Sequence, residues 1–147
     1  MKPNVDIDCN IFYVDDDRDD LELFKEMAES IGEHVCVFSS ADLMLHTLNN
    51  PPPDPSVVFV DLNMPIRNGY DVIFEIRNSD LFKHIPIVVL STASSPAIVE
   101  KCRKLGASLY VVKPNSAADL KKIIMDVVQI DWHKRVVTPE NFLHRVI

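Results

Sequence analysis

The sequence predicts a doubly wound α/β domain, a parallel sheet of five strands with helices on both faces. Two observations lead there. Five short runs rich in Val, Ile and aromatic residues recur along the chain: Ile11–Val14, Val35–Phe38, Val57–Val60, Ile87–Leu90 and Leu109–Val112. Most are apolar throughout rather than alternating, as strands covered on both faces are. Amphipathic segments at helical spacing follow the runs, and such alternation implies parallel pairing through right-handed crossovers.

Each helix has a recognisable apolar face. Leu21, Phe24, Ala28 and Ile31 form the first, and one of Asp17, Asp19 and Asp20 starts it while the others suit its positive end. Met44 and Leu48 mark the second, which the Ser39/Asp42 pair is expected to cap. Pro51–Pro53 and Pro55 read as a stiff surface connection to the third strand. Gly69 precedes a third helix bearing Val72 and Ile76. Ile98, Cys102 and Leu105 give the fourth, and Leu120, Ile123 or Ile124, and Val127 the fifth. Gly32 and Gly106 directly follow helical patterns, where a left-handed cap is wanted. The expected layout is one domain over 1–130 and an extension over 131–147. In that extension Thr138–Pro139–Glu140 resembles a helix start, and Phe142, Leu143 and Val146 would supply an apolar side. No separate output domain is expected.

Composition narrows the function. The chain has 147 residues, 15 basic and 22 acidic, for a net charge of −7. That acidity, with no basic block, argues against binding nucleic-acid backbones by charge. No apolar run approaches the roughly 20 residues of a membrane span, and no secretory leader precedes Asn10; a cytoplasmic location is expected. Cys9, Cys36 and Cys102 form no CxxC pair and read as free thiols in a reducing compartment. With three glycines there is neither GxGxxG nor a P-loop, so the usual nucleotide cradles are missing. The five histidines (His34, His46, His84, His133, His144) show no metal-ligand spacing and read as surface residues. No GxSxG elbow supports a hydrolase triad.

In open parallel sheets ligands bind beyond the carboxyl ends of the strands. Asp15, Asp16 and Asp17 follow the first strand, Asp61 the third, Ser91 and Thr92 the fourth, and Lys113–Pro114 the fifth. Crowded carboxylates repel, and a hard divalent cation resolves the repulsion. Mg²⁺ suits the set, because it takes one or two carboxylates, keeps waters and accepts a phosphate oxygen. Lys113 can pair with a carboxylate or a phosphoryl oxygen. Ser91 offers a hydroxyl, and the N–H groups of Asn63 and Thr92 could bond other oxygens. This is the equipment of phosphoryl transfer, in which a carboxylate can itself be the nucleophile.

From about Asn10 to Ile130 the chain resembles the receiver domain of bacterial two-component response regulators, the stand-alone chemotaxis-regulator type. YVDDD matches the acidic pair, VFVDLNMPIRNGYDV the phosphorylation segment, IPIVVLST the strand with the switch hydroxyl, and LYVVKP the strand with an aromatic and Lys–Pro. The resemblance implies a flavodoxin-like (βα)5 fold, three-layer α/β/α, with strand order 2-1-3-4-5. It makes Asp61 the phosphoacceptor. Asp16 would be a direct Mg²⁺ ligand, Asp15 would hold metal-bound water, and the Asn63 carbonyl would be the third protein ligand. Lys113 would contact the phosphoryl group, Ser91 would move toward it and Tyr110 would turn inward. A cis bond is implied at Pro114. Ser at the switch position is less common than Thr, and a one-residue shift would pass the role to Thr92.

The expected function is that of a phosphoacceptor switch rather than an enzyme. A sensor histidine kinase or phosphotransfer protein would be its donor. The face formed by the fourth helix, fifth strand and fifth helix would be its output, including Lys101, Lys104, Lys121 and Lys122, and the chain would be a monomer or a homodimer through that face. No DNA or membrane binding is expected. Three rivals are weaker. A phosphatase of the haloacid-dehalogenase type wants an acid where Asn63 stands. A flavin binder wants Ser, Thr and Gly in the first loop. A pseudo-receiver would lack a site residue.

Overall fold

The computed structural model describes residues 9–49 and 55–144. Pro51–Pro53 and Val146 lie outside them. The chain runs β1 (Ile11–Val14), α1 (Arg18–Ser30), β2 (Val35–Phe38), α2 (Ala41–Leu48), β3 (Val57–Val60), α3 (Gly69–Arg77), β4 (Ile87–Ser91), α4 (Pro96–Leu105), β5 (Leu109–Val112) and α5 (Ala117–Val128). All pairings are parallel, in the order β2-β1-β3-β4-β5. This is the predicted fold, and four strands have the predicted bounds; β4 runs one residue further, through Ser91.

The uniformly apolar strands make sense once both sheet faces are seen. Phe12, Val14, Val58, Val60, Val89 and Tyr110 face α2, α3 and α4. Their neighbours Ile11, Tyr13, Val57, Phe59, Val88 and Leu109 face α1 and α5. Alternate residues point to opposite faces, and each face is a core.

The helix starts obey local chemistry. Asp17 caps α1, accepting from the Asp19 and Asp20 amides, and Asn68 caps α3 in a capping box with Asp71. The α2 cap is Ser40, bonding the Leu43 amide, not Ser39; the two serines are adjacent, and the fit to the helix axis chooses. Gly32 and Gly106 both have positive φ, 86° and 107°. At Gly106 an added Cβ would also sit 3.0 Å from Arg77 Cγ. That arginine closes the end of the sheet where the strands begin. Its guanidinium donates to the carbonyls of Gly106, Lys83 and Ile85 and to Ser108 Oγ, at 2.7–3.1 Å.

Two larger expectations also fail here. Cys9 and Cys36 are disulfide-bonded, with Cα atoms 5.8 Å apart, and only Cys102 is a free, buried thiol. The reason is register: pairing Phe12 with Cys36 brings the segment before β1 against β2, a proximity that sequence spacing does not reveal. The second is the short helix expected from Thr138. Residues 139–141 form a turn, and Leu143 makes a parallel bridge to Tyr110. Thr138 and Asn141 exchange side-chain-to-backbone bonds of 2.8 and 3.1 Å, which compete with helix formation. Phe142 then gains more by entering the core, where it is 1% exposed. Four of the histidines are exposed, as expected, whereas His144 is half-buried.

Candidate functional site

Register builds the site. Val14 pairs with Val60, so Asp15 and Asp61 leave the sheet side by side. The Asp61 amide donates to the Val14 carbonyl at 3.0 Å. Ser91 pairs with Val112, which delivers Lys113 to the same rim, its amide bonded to the Ser91 carbonyl at 2.8 Å. Oxygens of Asp15, Asp16 and Asp61 lie within 4.8 Å of one another. Asp15 and Asp61 are buried and Asp16 is exposed.

Lys113 is the hub. Its Nζ lies 2.8 Å from Asp15 Oδ2, 2.8 Å from Asp20 Oδ2 and 3.5 Å from Asp61 Oδ1. Asp15 also accepts from the Asp17 amide at 3.0 Å and from the Tyr13 hydroxyl. Sequence reasoning missed Asp20 and Tyr13. Asp20 sits one turn into α1 from Asp16, and Tyr13 lies two residues before Asp15, hence on the same side of the strand. Those spacings were the available signals.

The electrostatics follow from crowding. Burial, then the charge of Asp15, pushes the Asp61 carboxyl up from its ordinary 3.8 to about 6, against the pull of Lys113. Burial acts to lower the Lys113 ammonium, but its bonds to Asp15 and Asp20 and the charges of Asp15 and Asp61 outweigh it, so the proton is held more tightly. Burial, then Asp15, pushes the Tyr13 phenol far up, so it stays a hydrogen-bond donor.

The switch candidates divide cleanly. Ser91 is fully buried and its Oγ accepts from the Ala93 amide at 3.2 Å, whereas Thr92 is exposed. Tyr110 points inward, 0% exposed, and its hydroxyl donates to the Ala93 carbonyl at 2.7 Å. Asn63 lies in the β3–α3 turn with an exposed side chain. Gly69 packs against that turn so tightly that a Cβ would stand 2.4 Å from the Asp61 carbonyl oxygen. The bond preceding Pro114 is not cis, because no described peptide bond is cis. Trans is the lower-energy isomer of an X–Pro bond, and the turn into α5, capped by Ser116, is made without the alternative.

Asp15, Asp16, Asp20 and Asp61 against one ammonium form an excess of hard oxygen donors. That chemistry fits a divalent cation of the magnesium, calcium or manganese kind, not a thiolate- or imidazole-seeking metal.

A family model described as "Response regulator receiver domain" matches residues 11–125. The two-component response regulator ORR7 of Oryza sativa subsp. japonica is 28% identical over 119 residues, covering 81% of this chain and 56% of that protein. ARR9 of Arabidopsis thaliana, also named a two-component response regulator, is 28% identical over 78% of this chain and 47% of its own length. The chain thus spans about half the length of these curated relatives. Among solved structures, the Mn²⁺-bound form of response regulator Rcp1 is 25% identical with a TM-score of 0.71, over 86% of this chain and 96% of that one. The Vibrio cholerae chemotaxis protein CheY4 shares the fold at 24% identity and a TM-score of 0.72, over 81% of this chain and 98% of that one.

Proposed function

The chain belongs to the response regulator receiver family, and from that premise we propose that it is a switch set by transfer of a phosphoryl group to Asp61. One observation carries the reading: Asp15, Asp16, Asp61, Ser91 and Lys113, from four strand ends, meet at one rim. An Asp61 oxygen attacks phosphorus. The bond from phosphorus to the donor's nitrogen or acyl oxygen breaks, and its electron pair leaves with the donor. Lys113 turns from Asp15 and Asp20 to an oxygen of the new acyl phosphate, while Tyr13 keeps Asp15 bonded. Ser91 donates a hydrogen bond from its hydroxyl to another phosphoryl oxygen, keeping its proton, and the Asn63 and Thr92 amides would serve the rest. Asp15, Asp16, Asp61 and the Asn63 carbonyl are the groups to hold Mg²⁺, which when bound neutralises phosphoryl charge. An acidic rim without such a cation would repel its substrate.

The donor is a phosphohistidine on a sensor kinase or phosphotransfer protein, and the Asp61 adduct is stoichiometric rather than turned over. Output runs through the α4–β5–α5 face to a protein partner or a second copy. No described helix is long and apolar enough to cross a membrane. We place the protein in the cytoplasm, where the Cys9–Cys36 bond would form only under oxidising conditions.

The test is incubation with acetyl phosphate and Mg²⁺ followed by intact mass. A single phosphoryl adduct is expected, absent in Asp61→Asn and with EDTA. An adduct that persists in Asp61→Asn would overturn the assignment.

A further inference from the structure

β5 ends the sheet, so among the described strands none lies beside its outer edge. Residues 141–144 fill that edge. The Tyr110 amide donates to the Phe142 carbonyl at 2.9 Å, and the His144 amide donates to the Tyr110 carbonyl at 2.8 Å. The Phe142 ring lies 6.3 Å from the Tyr110 ring, both side chains buried. The approach to this seat is fastened too. Arg135 Nη2 donates to the Asn141 carbonyl at 2.6 Å. On the other side, Glu140 and Leu143 border a cleft of about 400 Å³ shared with Val99 and Glu100 of α4. The segment therefore lies on the face to which output was assigned.

Tyr110 joins this segment to the phosphoacceptor rim. Its backbone holds Phe142 and His144. Its hydroxyl holds the carbonyl of Ala93, whose amide is held in turn by Ser91 Oγ. We infer that the outer edge of β5, with the Tyr110 ring beside it, is an interaction surface for an extended aromatic–aliphatic segment, that Phe142–Leu143 is its resident occupant, and that a phosphoryl group at Asp61 tightens the occupancy. The direction comes from the buried ring. Phe142 packs on Tyr110 in its inward position, and anything that fixes the Ser91–Ala93 turn fixes the carbonyl that holds that ring there. By linkage, the docked segment favours the phosphoryl-bound site by the same factor. A partner approaching β5 meets residues 141–144, not a bare strand.

The inference rests on Asp61 being the phosphoacceptor, and the experiment separates the two. Amide exchange of Tyr110 and His144 is followed by NMR in the full chain, with Mg²⁺ alone and with Mg²⁺ and beryllofluoride, a phosphoryl mimic. Beryllofluoride is expected to slow both amides about five-fold or more. Phe142→Ala is expected to weaken beryllofluoride binding by a similar factor. His144→Pro, which removes one edge bond and leaves the core ring in place, should do so to a lesser degree. Beryllofluoride that binds Asp61 without slowing these amides, or binds both variants as well as the parent chain, overturns the inference and leaves the function standing. Absence of beryllofluoride binding overturns both.

Discussion

Asp61→Asn should make the protein more stable, and by an amount that depends on pH. The Asp61 side chain is 6% exposed, and its pKa rises from 3.8 to about 6 on folding. That rise corresponds to about 3 kcal/mol. The sign follows from proton counting. Between about pH 4 and 6 the unfolded chain has released a proton that the folded chain still holds, so stability falls as pH rises through that window. Above it the deficit is complete, and asparagine, which does not ionise, avoids it. Urea unfolding in EDTA should therefore show Asp61→Asn ahead by about 3 kcal/mol at pH 7.5 and level with the parent below pH 4. Mg²⁺ should stabilise the parent more than the variant and narrow the gap. Equal stabilities at pH 7.5, or an advantage that persists unchanged at pH 3.5, would refute the claim that buried acid crowding strains this rim.

Gly69→Ala should cost about 2–3 kcal/mol and slow labelling by acetyl phosphate, because the new methyl would stand 2.4 Å from the Asp61 carbonyl oxygen; thermal melts and a mass time course read both effects. Reducing the Cys9–Cys36 bond, which links residues 27 apart, should lower stability by about 3.5 kcal/mol in urea titration. Cys36→Ser should show the same loss. Neither change should alter the yield of the Asp61 adduct, since the bond anchors the start of β1 and Asp15 follows its end.

The sheet and its rim were legible because both are written locally. Apolar runs such as Val57–Val60 define strands, and the residue after each run is fixed to the carboxyl end whatever the crossovers do. That is why Asp15, Asp61, Ser91 and Lys113 could be placed together without coordinates. What failed depended on distance in three dimensions. The Cys9–Cys36 contact exists only through the register of β1 with β2. The lysine's tie to Asp20 needs the tilt of α1, and the Tyr13 hydroxyl reaches Asp15 only because both lie on one side of β1. Thr138–Pro139–Glu140 carries helix-start chemistry, yet tertiary burial of Phe142 overrode it. The cis bond expected at Pro114 rested on the resemblance alone, and the two isomers of such a bond differ by only about 1 kcal/mol, so no local residue pattern fixes the choice.

Arg77 sets where movement can occur. Its guanidinium ties the end of α4 to the segment entering β4 and the start of β5, and such a planar fork cannot be deprotonated or matched by lysine. Two successive crossovers are riveted together at their base, so a disturbance beginning at Ser91 has no soft route downward. It must travel sideways along the crest, from the turn after β4 to its neighbour β5.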